Sequence, residues 1–245
     1  MNKVVLNNIS KSYYNQKGAL DVIDNLSLEI KEGEIVAIVG PSGTGKSTIL
    51  NLIAGLTDET SGSIFVNGKI GYMFQHDLLF DWMSVYKNLF VGLEIQNKVE
   101  EKDVSKAIKL LEKYDLLEFE SSLPSELSGG MRQRVALIRT LMVNPEILLL
   151  DEPFSALDSQ TRIKISNDVY QIIKEEKLTT ILVTHDISEA ITLADRIIIL
   201  SKRPARVIKE YKMEFGNLTP IEKRTDKLFL EYFDKIWNDV AWTMK

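Results

Sequence analysis

Residues 40 to 48 read Gly-Pro-Ser-Gly-Thr-Gly-Lys-Ser-Thr, which fits the pattern G-x-x-x-x-G-K-[ST] with Gly40 and Gly45 as the fixed glycines. The chemistry open to such a string is the grip of a phosphate chain. Glycines let the backbone of Gly40, Pro41, Ser42, Gly43, Thr44 and Gly45 turn tightly enough for several N–H groups to converge on one anion. A helix that begins there adds partial positive charge. Lys46 can reach the outer phosphates, and Ser47, followed by Thr48, offers a hydroxyl to Mg²⁺, an ion that keeps several waters and takes few protein ligands. The flanks supply the needed context: an apolar β-branched run, Ile35 to Val39, before the loop, and apolar residues at helical spacing from Ile49 to Ala54 after it. A plain Gly/Ser turn would not need that context, so a nucleoside triphosphate site is expected.

A phosphate loop alone leaves kinases, switch GTPases and many ATPases open. Three further features narrow the choice. Asp151 and Glu152 end an apolar run, Ile147 to Leu150. There the first carboxylate can support Mg²⁺, and the second can orient an attacking water or receive its proton. Leu127-Ser128-Gly129-Gly130-Met131-Arg132-Gln133-Arg134 opens a helix with a hydroxyl and two glycines, a second place for an anion. His185 ends another apolar run, Thr179 to Thr184, where a γ-phosphate sensor would sit.

Those groups need a scaffold. The 245 residues are 44% hydrophobic and 27% charged, enough for one full α/β core. A formal net charge of -5 argues against non-specific nucleic-acid binding as the main activity. The absence of Cys excludes disulfides, Cys-ligated zinc and iron–sulfur clusters, and with only His76 and His185 a transition-metal site is not expected. The N-terminus lacks the apolar centre of a signal peptide, and no stretch approaches 18 uninterrupted apolar residues; a membrane role is expected to run through a partner.

Short strands are expected at Val4–Leu6, Leu26–Ile30 and Ile35–Val39, then at Ser63–Gly68 and Lys69–Gln75. Gln75 stands at a strand end, where open parallel sheets place ligand groups. Residues 76 to 92 read as a connection crowded with Leu78, Leu79, Phe80, Trp82 and Met83. Two readings fit: packing under a helical subdomain, or a socket for another chain. From Glu100 to Glu120 a helical stripe runs through Val104, Ala107, Ile108, Leu111, Tyr114 and Leu117. A second helix spans about 130 to 143, so residues 77 to 144 form a mostly helical insertion. Strands at Ile147–Leu150, Thr179–Thr184 and Arg196–Ser201, with a charged helix over Ser159–Lys177, return to a parallel sheet. The tail, 216 to 245, opens with a capping box at Thr219 and Glu222 and carries a stripe of Phe229, Tyr232, Phe233, Ile236, Trp237 and Val240. It docks on its own domain or fills a partner's groove.

Together these motifs, over roughly residues 3 to 215, resemble the nucleotide-binding domain of the ATP-binding cassette (ABC) family. The resemblance implies an α/β fold in one domain, 1 to 245. Its P-loop NTPase core, about 1–76 and 145–215, has a mostly parallel sheet flanked by helices, an N-terminal antiparallel β portion and an inserted helical subdomain. It implies that Gly40 to Thr48 are the Walker A loop, Gln75 the Q-loop, Leu127 to Met131 the signature, Ile147 to Glu152 the Walker B strand, Ser155 to Asp158 the D-loop and His185 the switch histidine. Tyr13, with Tyr14 as the alternative, would stack on adenine. ATP and Mg²⁺ would be the ligands, with Ser47, Gln75 and Asp151 around the metal, Glu152 polarising water and His185 orienting the γ-phosphate.

In that family two copies pair head to tail, so Ser128, Gly129 and Gly130 would meet the ATP held by Lys46 of the other copy. Transmembrane permease subunits are the implied partners, with a substrate-binding protein acting indirectly, at the cytoplasmic face of the membrane. The signature string, Ser201-Lys202-Arg203-Pro204 and the tail look similar to importers of nitrate, sulfonates and taurine, a group that includes vitamin-precursor transporters. An exporter or lipoprotein-release ATPase, or an ABC ATPase acting on ribosomes or DNA, is the alternative.

Overall fold

The computed structural model describes residues 1–15 and 18–244. Six strands form the central sheet, in the order β5 (Ile70–Met73), β6 (Ile147–Asp151), β7 (Thr179–Thr184), β3 (Ile35–Val39), β8 (Arg196–Leu200) and β9 (Val207–Lys212). Neighbours are parallel except β8 and β9. Every residue of β3, β6 and β7 is buried, which is why these strands are continuous apolar or threonine-bearing runs apart from Asp151 at the end of β6. The two-residue period of the strands sorts their side chains into two cores. Ala37, Leu148, Leu150, Leu182 and Ile197 enter one with most of the helices, while Ile38, Leu149, Val183 and Ile198 enter the other with α1 (Lys46–Ile53).

The second core is closed by an antiparallel sheet in which β1 (Asn2–Asn15) lies between β2 (Gly18–Lys31) and β4 (Ser61–Val66). Both long strands extend well beyond the short apolar runs that hydrophobic pattern identifies. Pairing supplies the reason: Ser12 lies opposite Asp21 and bonds it at 2.6 Å, and Tyr13 lies opposite Leu20. Cross-strand partners keep polar residues extended where alternation gives no signal.

Between β5 and β6 the chain leaves the sheet for α2 (Val85–Ile95), α3 (Glu101–Lys113) and α4 (Gly129–Met142), the expected helical insertion. α2 begins within residues 76 to 92, where the sequence predicts a connection. Ser84 caps it by accepting from the Lys87 N–H at 3.3 Å, and the fully buried Asn88 bonds Phe80, Met83 and Ser84 backbone atoms, tightening the approach. The crowded segment before it divides. Leu79 is buried and Phe80 and Met83 half-buried, while Leu78 and Trp82 are 54% and 73% exposed. On α3 the buried face is Ala107, Leu110 and Leu111, followed by Tyr114; Ile108, expected inside, faces outward. The stripe is rotated because Leu110, not Ile108, meets the subdomain core.

α5 (Ser159–Glu175) starts at Asp158, whose carboxylate accepts from the Gln160 and Thr161 N–H groups at 3.1 and 3.0 Å. The short α6 (Ile187–Leu193) and β9 carry too few residues for a legible period. In the tail the capping box forms as expected: the Glu222 N–H donates to Thr219 Oγ1 at 3.3 Å and the Thr219 N–H to Glu222 Oε2 at 2.8 Å, opening α7 (Pro220–Thr225). α8 (Lys227–Met244) packs on its own domain, with Ile236 and Val240 buried, although Trp237 stays 54% exposed. Replacing a fully buried isoleucine by alanine costs about 2–5 kcal/mol. Ile236→Ala is therefore expected to lower the free energy of unfolding by that amount, measured by denaturant titration, and an unchanged unfolding curve would show α8 to be outside the cooperative core.

Candidate functional site

The strand ends at the carboxyl edge of the central sheet carry the chemistry. Gly40 follows β3, Asp151 ends β6 with Glu152 next, His185 follows β7, and Gln75 lies two residues beyond β5. Because β5, β6, β7 and β3 are adjacent and parallel, these ends converge.

A cleft of about 500 Å³ opens there, lined by Ser42, Gly43, Gly45, Lys46, Ser47 and Thr48 of the loop and the start of α1, by Tyr13, Leu20 and Val22 from β1 and β2, and by Gln75, Glu152 and Arg203. Gly45 has a left-handed backbone, φ 116°, and a Cβ there would stand 2.7 Å from Val22 Cγ1. Conformation and space both require glycine at this position. Lys46, the first residue of α1, is buried, and its amine donates to Gly40 O and Pro41 O at 2.9 and 3.0 Å. Burial lowers its pKa, opposed by Glu152 and Asp151. A phosphate would replace two neutral carbonyls with an anion, which a buried ammonium favours. The Thr44 hydroxyl donates to Pro41 O and steadies the same turn.

Asp151 is 4% exposed, and burial pushes its pKa up, with the hydrogen bond from the Ser47 hydroxyl pulling the other way. Its Oδ1 atom is buried without a hydrogen-bond partner among the described residues. An orphaned carboxylate oxygen beside a hydroxyl and a phosphate loop suits a small cation that brings its own water. The described residues hold no group of three or more His, Cys, Asp and Glu that could take a metal by itself.

Glu152 follows in a left-handed conformation, φ 48°. Such a φ on a side-chain-bearing residue costs roughly 1–3 kcal/mol and persists only where neighbours over-determine it. Here its N–H donates to Val183 O at 2.8 Å and its carbonyl accepts from Gln133 Nε2 at 3.3 Å. The turn carries the carboxylate to Gln75 Nε2, 3.3 Å away, and to His185 Nδ1, 3.1 Å away. One oxygen, Oε2, takes both contacts.

Tyr13 lines the cleft, with Lys11 Nζ 4.9 Å from its ring centre, whereas Tyr14 is 76% exposed and does not. Successive residues on a strand point to opposite faces, which separates the two. Ser128 caps α4 by accepting from Met131 N–H at 3.3 Å and is exposed together with partly exposed Gly129 and Gly130. None of the three lines this chain's own cleft. A Cβ at Gly130 would stand 3.0 Å from Leu157 Cδ2, so signature and D-loop pack against each other and Asp158 stays beside them as a helix cap.

Sequence reasoning missed three linking residues. Gln133 bridges Glu152 O and the Ala156 N–H, and Arg139 donates to Leu78 O and Asp77 O at 2.8 and 2.6 Å while Arg132 pairs with Asp77 at 3.1 Å. Thus the helix that starts at Ser128 also grips the loop after Gln75. No motif marks these roles, because each depends on a contact between elements distant in sequence.

Residues 23–155 match the family described as ABC transporter. The chain is 37% identical over 241 residues to the aliphatic sulfonates import ATP-binding protein SsuB of Bacillus anthracis, covering 95% of this chain and 94% of the relative. It is 37% identical over 245 residues to the nitrate import ATP-binding protein NrtD of Synechocystis, covering 94% and 92%. Among solved structures, the dimeric post-hydrolysis state of the ATP-binding cassette MJ0796 bound to ADP and Pi superposes with a TM-score of 0.79 at 34% identity, covering 86% of this chain and 99% of that one. With the phosphate loop, the acidic pair and the histidine at one sheet edge, these likenesses settle the family: the chain is an ATPase and belongs to the ABC transporter family.

Proposed function

We propose that this chain is the ATP-hydrolysing subunit of a membrane importer, working as a pair of identical copies on transmembrane permease subunits at the cytoplasmic face of the membrane. The observation that carries this reading is the convergence of Lys46 and Glu152 on one phosphate-loop cleft, with Asp151 bonded to Ser47 and His185 set against Glu152. Likeness to proteins named for sulfonate and nitrate import supports a small oxyanion or sulfonate as the solute, delivered by a substrate-binding protein.

In this reading the loop 40–48 and Lys46 hold the phosphate chain, and Tyr13 covers the base. Ser47 and Asp151, with Gln75 near by, would hold Mg²⁺, which would neutralise charge on the phosphate oxygens. Glu152 orients a water and takes its proton as the oxygen adds to the γ-phosphorus and the bond to the β–γ bridging oxygen breaks. His185, 3.1 Å from that carboxylate, keeps it in line and faces the γ-phosphate. Ser128, Gly129 and Gly130 serve the cleft of the opposite copy, which accounts for an exposed anion-ready helix start that this chain does not use.

Leu78 and Trp82 are exposed on the segment that α4 grips through Arg132 and Arg139, so a permease seated on them would move together with Ser128. The described residues contain no helix long and apolar enough to cross a membrane, and the permease supplies the crossing.

Glu152→Gln is expected to reduce turnover by at least 10²-fold while preserving ATP binding; wild-type turnover would remove Glu152 from its role. In Asp151→Asn the extra thermal stabilisation that Mg²⁺ adds to ATP should disappear, measured as the difference between melting with Mg-ATP and with ATP plus EDTA, and a retained difference would place the metal elsewhere. Trp82→Glu should leave the ATPase of the isolated chain intact but abolish transport in reconstituted vesicles. Transport at the wild-type rate would make the exposed ring incidental.

A further inference from the structure

We infer that Arg203 is a positioning residue of the nucleotide site: it latches the phosphate loop from the turn between β8 and β9 and sets how tightly the cleft holds a nucleoside triphosphate. The inference rests on the reading of the cleft as the ATP site and adds a residue that lies outside all of its motifs.

Arg203 Nε donates to Gly43 O at 3.0 Å, and Nη2 of the same guanidinium donates to that oxygen as well. Gly43 is one of the two left-handed corners of the loop, φ 73°. In a trans peptide the carbonyl and the following N–H point opposite ways, so a fork that fixes Gly43 O also fixes the direction of the Thr44 N–H. Loops that bind phosphate work by aiming N–H groups, and a loose corner would have to be ordered at the cost of affinity.

The turn that carries Arg203 is itself anchored. Ser201 Oγ donates to Pro204 O at 3.0 Å and accepts from the Arg206 N–H at 2.9 Å, closing the turn. The Ala205 N–H donates to Val22 O at 2.8 Å, the Asp24 N–H to Ala205 O at 3.1 Å, and Arg206 pairs with Asp24. β2 is therefore stitched to the turn at Val22, the residue against which Gly45 rests. Both glycine corners of the loop, Gly43 and Gly45, bear on one junction. The guanidinium also lines the cleft, so its charge stands beside the anion that it helps to order. A lysine would keep the charge and lose the fork.

The test is a titration of the full chain with a fluorescent ATP analogue in the presence of Mg²⁺, together with amide hydrogen exchange, for the wild type, Arg203→Ala, Arg203→Lys and Lys46→Ala. We expect Arg203→Ala to raise Kd about tenfold, Arg203→Lys to raise it nearly as much, and KM for ATP to rise by the same factor while kcat falls less than threefold. Exchange in Arg203→Ala should accelerate across residues 40–48 and stay unchanged in α8. Wild-type affinity in Arg203→Ala beside a weakened Lys46→Ala overturns the latch and leaves the site standing. Wild-type affinity in Lys46→Ala overturns the reading of the cleft itself. Full rescue by lysine, or exchange that accelerates everywhere, also overturns the latch, the first by reducing Arg203 to a charge and the second by making it a general support of the fold.

Discussion

In a parallel sheet every strand delivers its last residue to the same edge, and the register of four strands makes that edge reactive in this protein. Met73 pairs with Leu150, Asp151 with Val183 and Val39 with Thr184, so the next residues along each strand emerge side by side. Gln75, Glu152, His185 and Gly40 are those residues or their near neighbours. A one-residue slip of β6 would send the side chains of Leu148 and Leu150 to the wrong core and reverse Asp151 with them. Burial of both sheet faces therefore fixes the register, and the register fixes the site.

The site holds its charges at a cost. Lys46 and Asp151 are nearly buried, and burial shifts each toward its neutral form. Glu152 sits in an unfavourable backbone conformation and lends one carboxylate oxygen to two neighbours. None of this helps the fold by itself. In the proposed reading an anion would relieve Lys46 and a cation Asp151, while the Glu152 carboxylate is left to bond a water. Two adjoining layers hold the strained parts in place. Gln133 of α4 ties Glu152 to the D-loop, and the junction of β2 with the β8–β9 turn backs the phosphate loop.

Much of this was legible in the residues. The phosphate loop and the acidic pair announce themselves because their chemistry requires particular residue types at fixed places, His185 only through its position at a strand end in their company, and the buried strands because both of their faces are apolar. The capping box at Thr219 was equally plain, since its signal is local. Other features lacked such a signal. α2 was lost behind Asn88, whose buried amide serves backbone groups eight residues away in the chain. The polar halves of β1 and β2 are strands only because each supplies the other's partners. Ile108 was assigned inward from spacing alone, yet the helix phase was settled by Leu110 meeting the subdomain core. Gln133, Arg139 and Arg203 act through contacts between distant elements, which a single sequence does not display. Tyr13 and Tyr14 were separable only once β1 was known to continue through them.

In the proposed pair, each working site joins the phosphate loop of one copy to the Ser128 helix start of another. In a Glu152→Gln background, Lys46→Ala and Ser128→Arg proteins should each remain monomeric with Mg-ATP when measured separately by light scattering. Mixed in equal amounts, they retain one intact loop and one intact signature that can face each other, so a mixed dimer holding a single ATP is expected. A mixture that stays monomeric, or a Ser128→Arg protein that pairs with itself as readily as its parent, would contradict it.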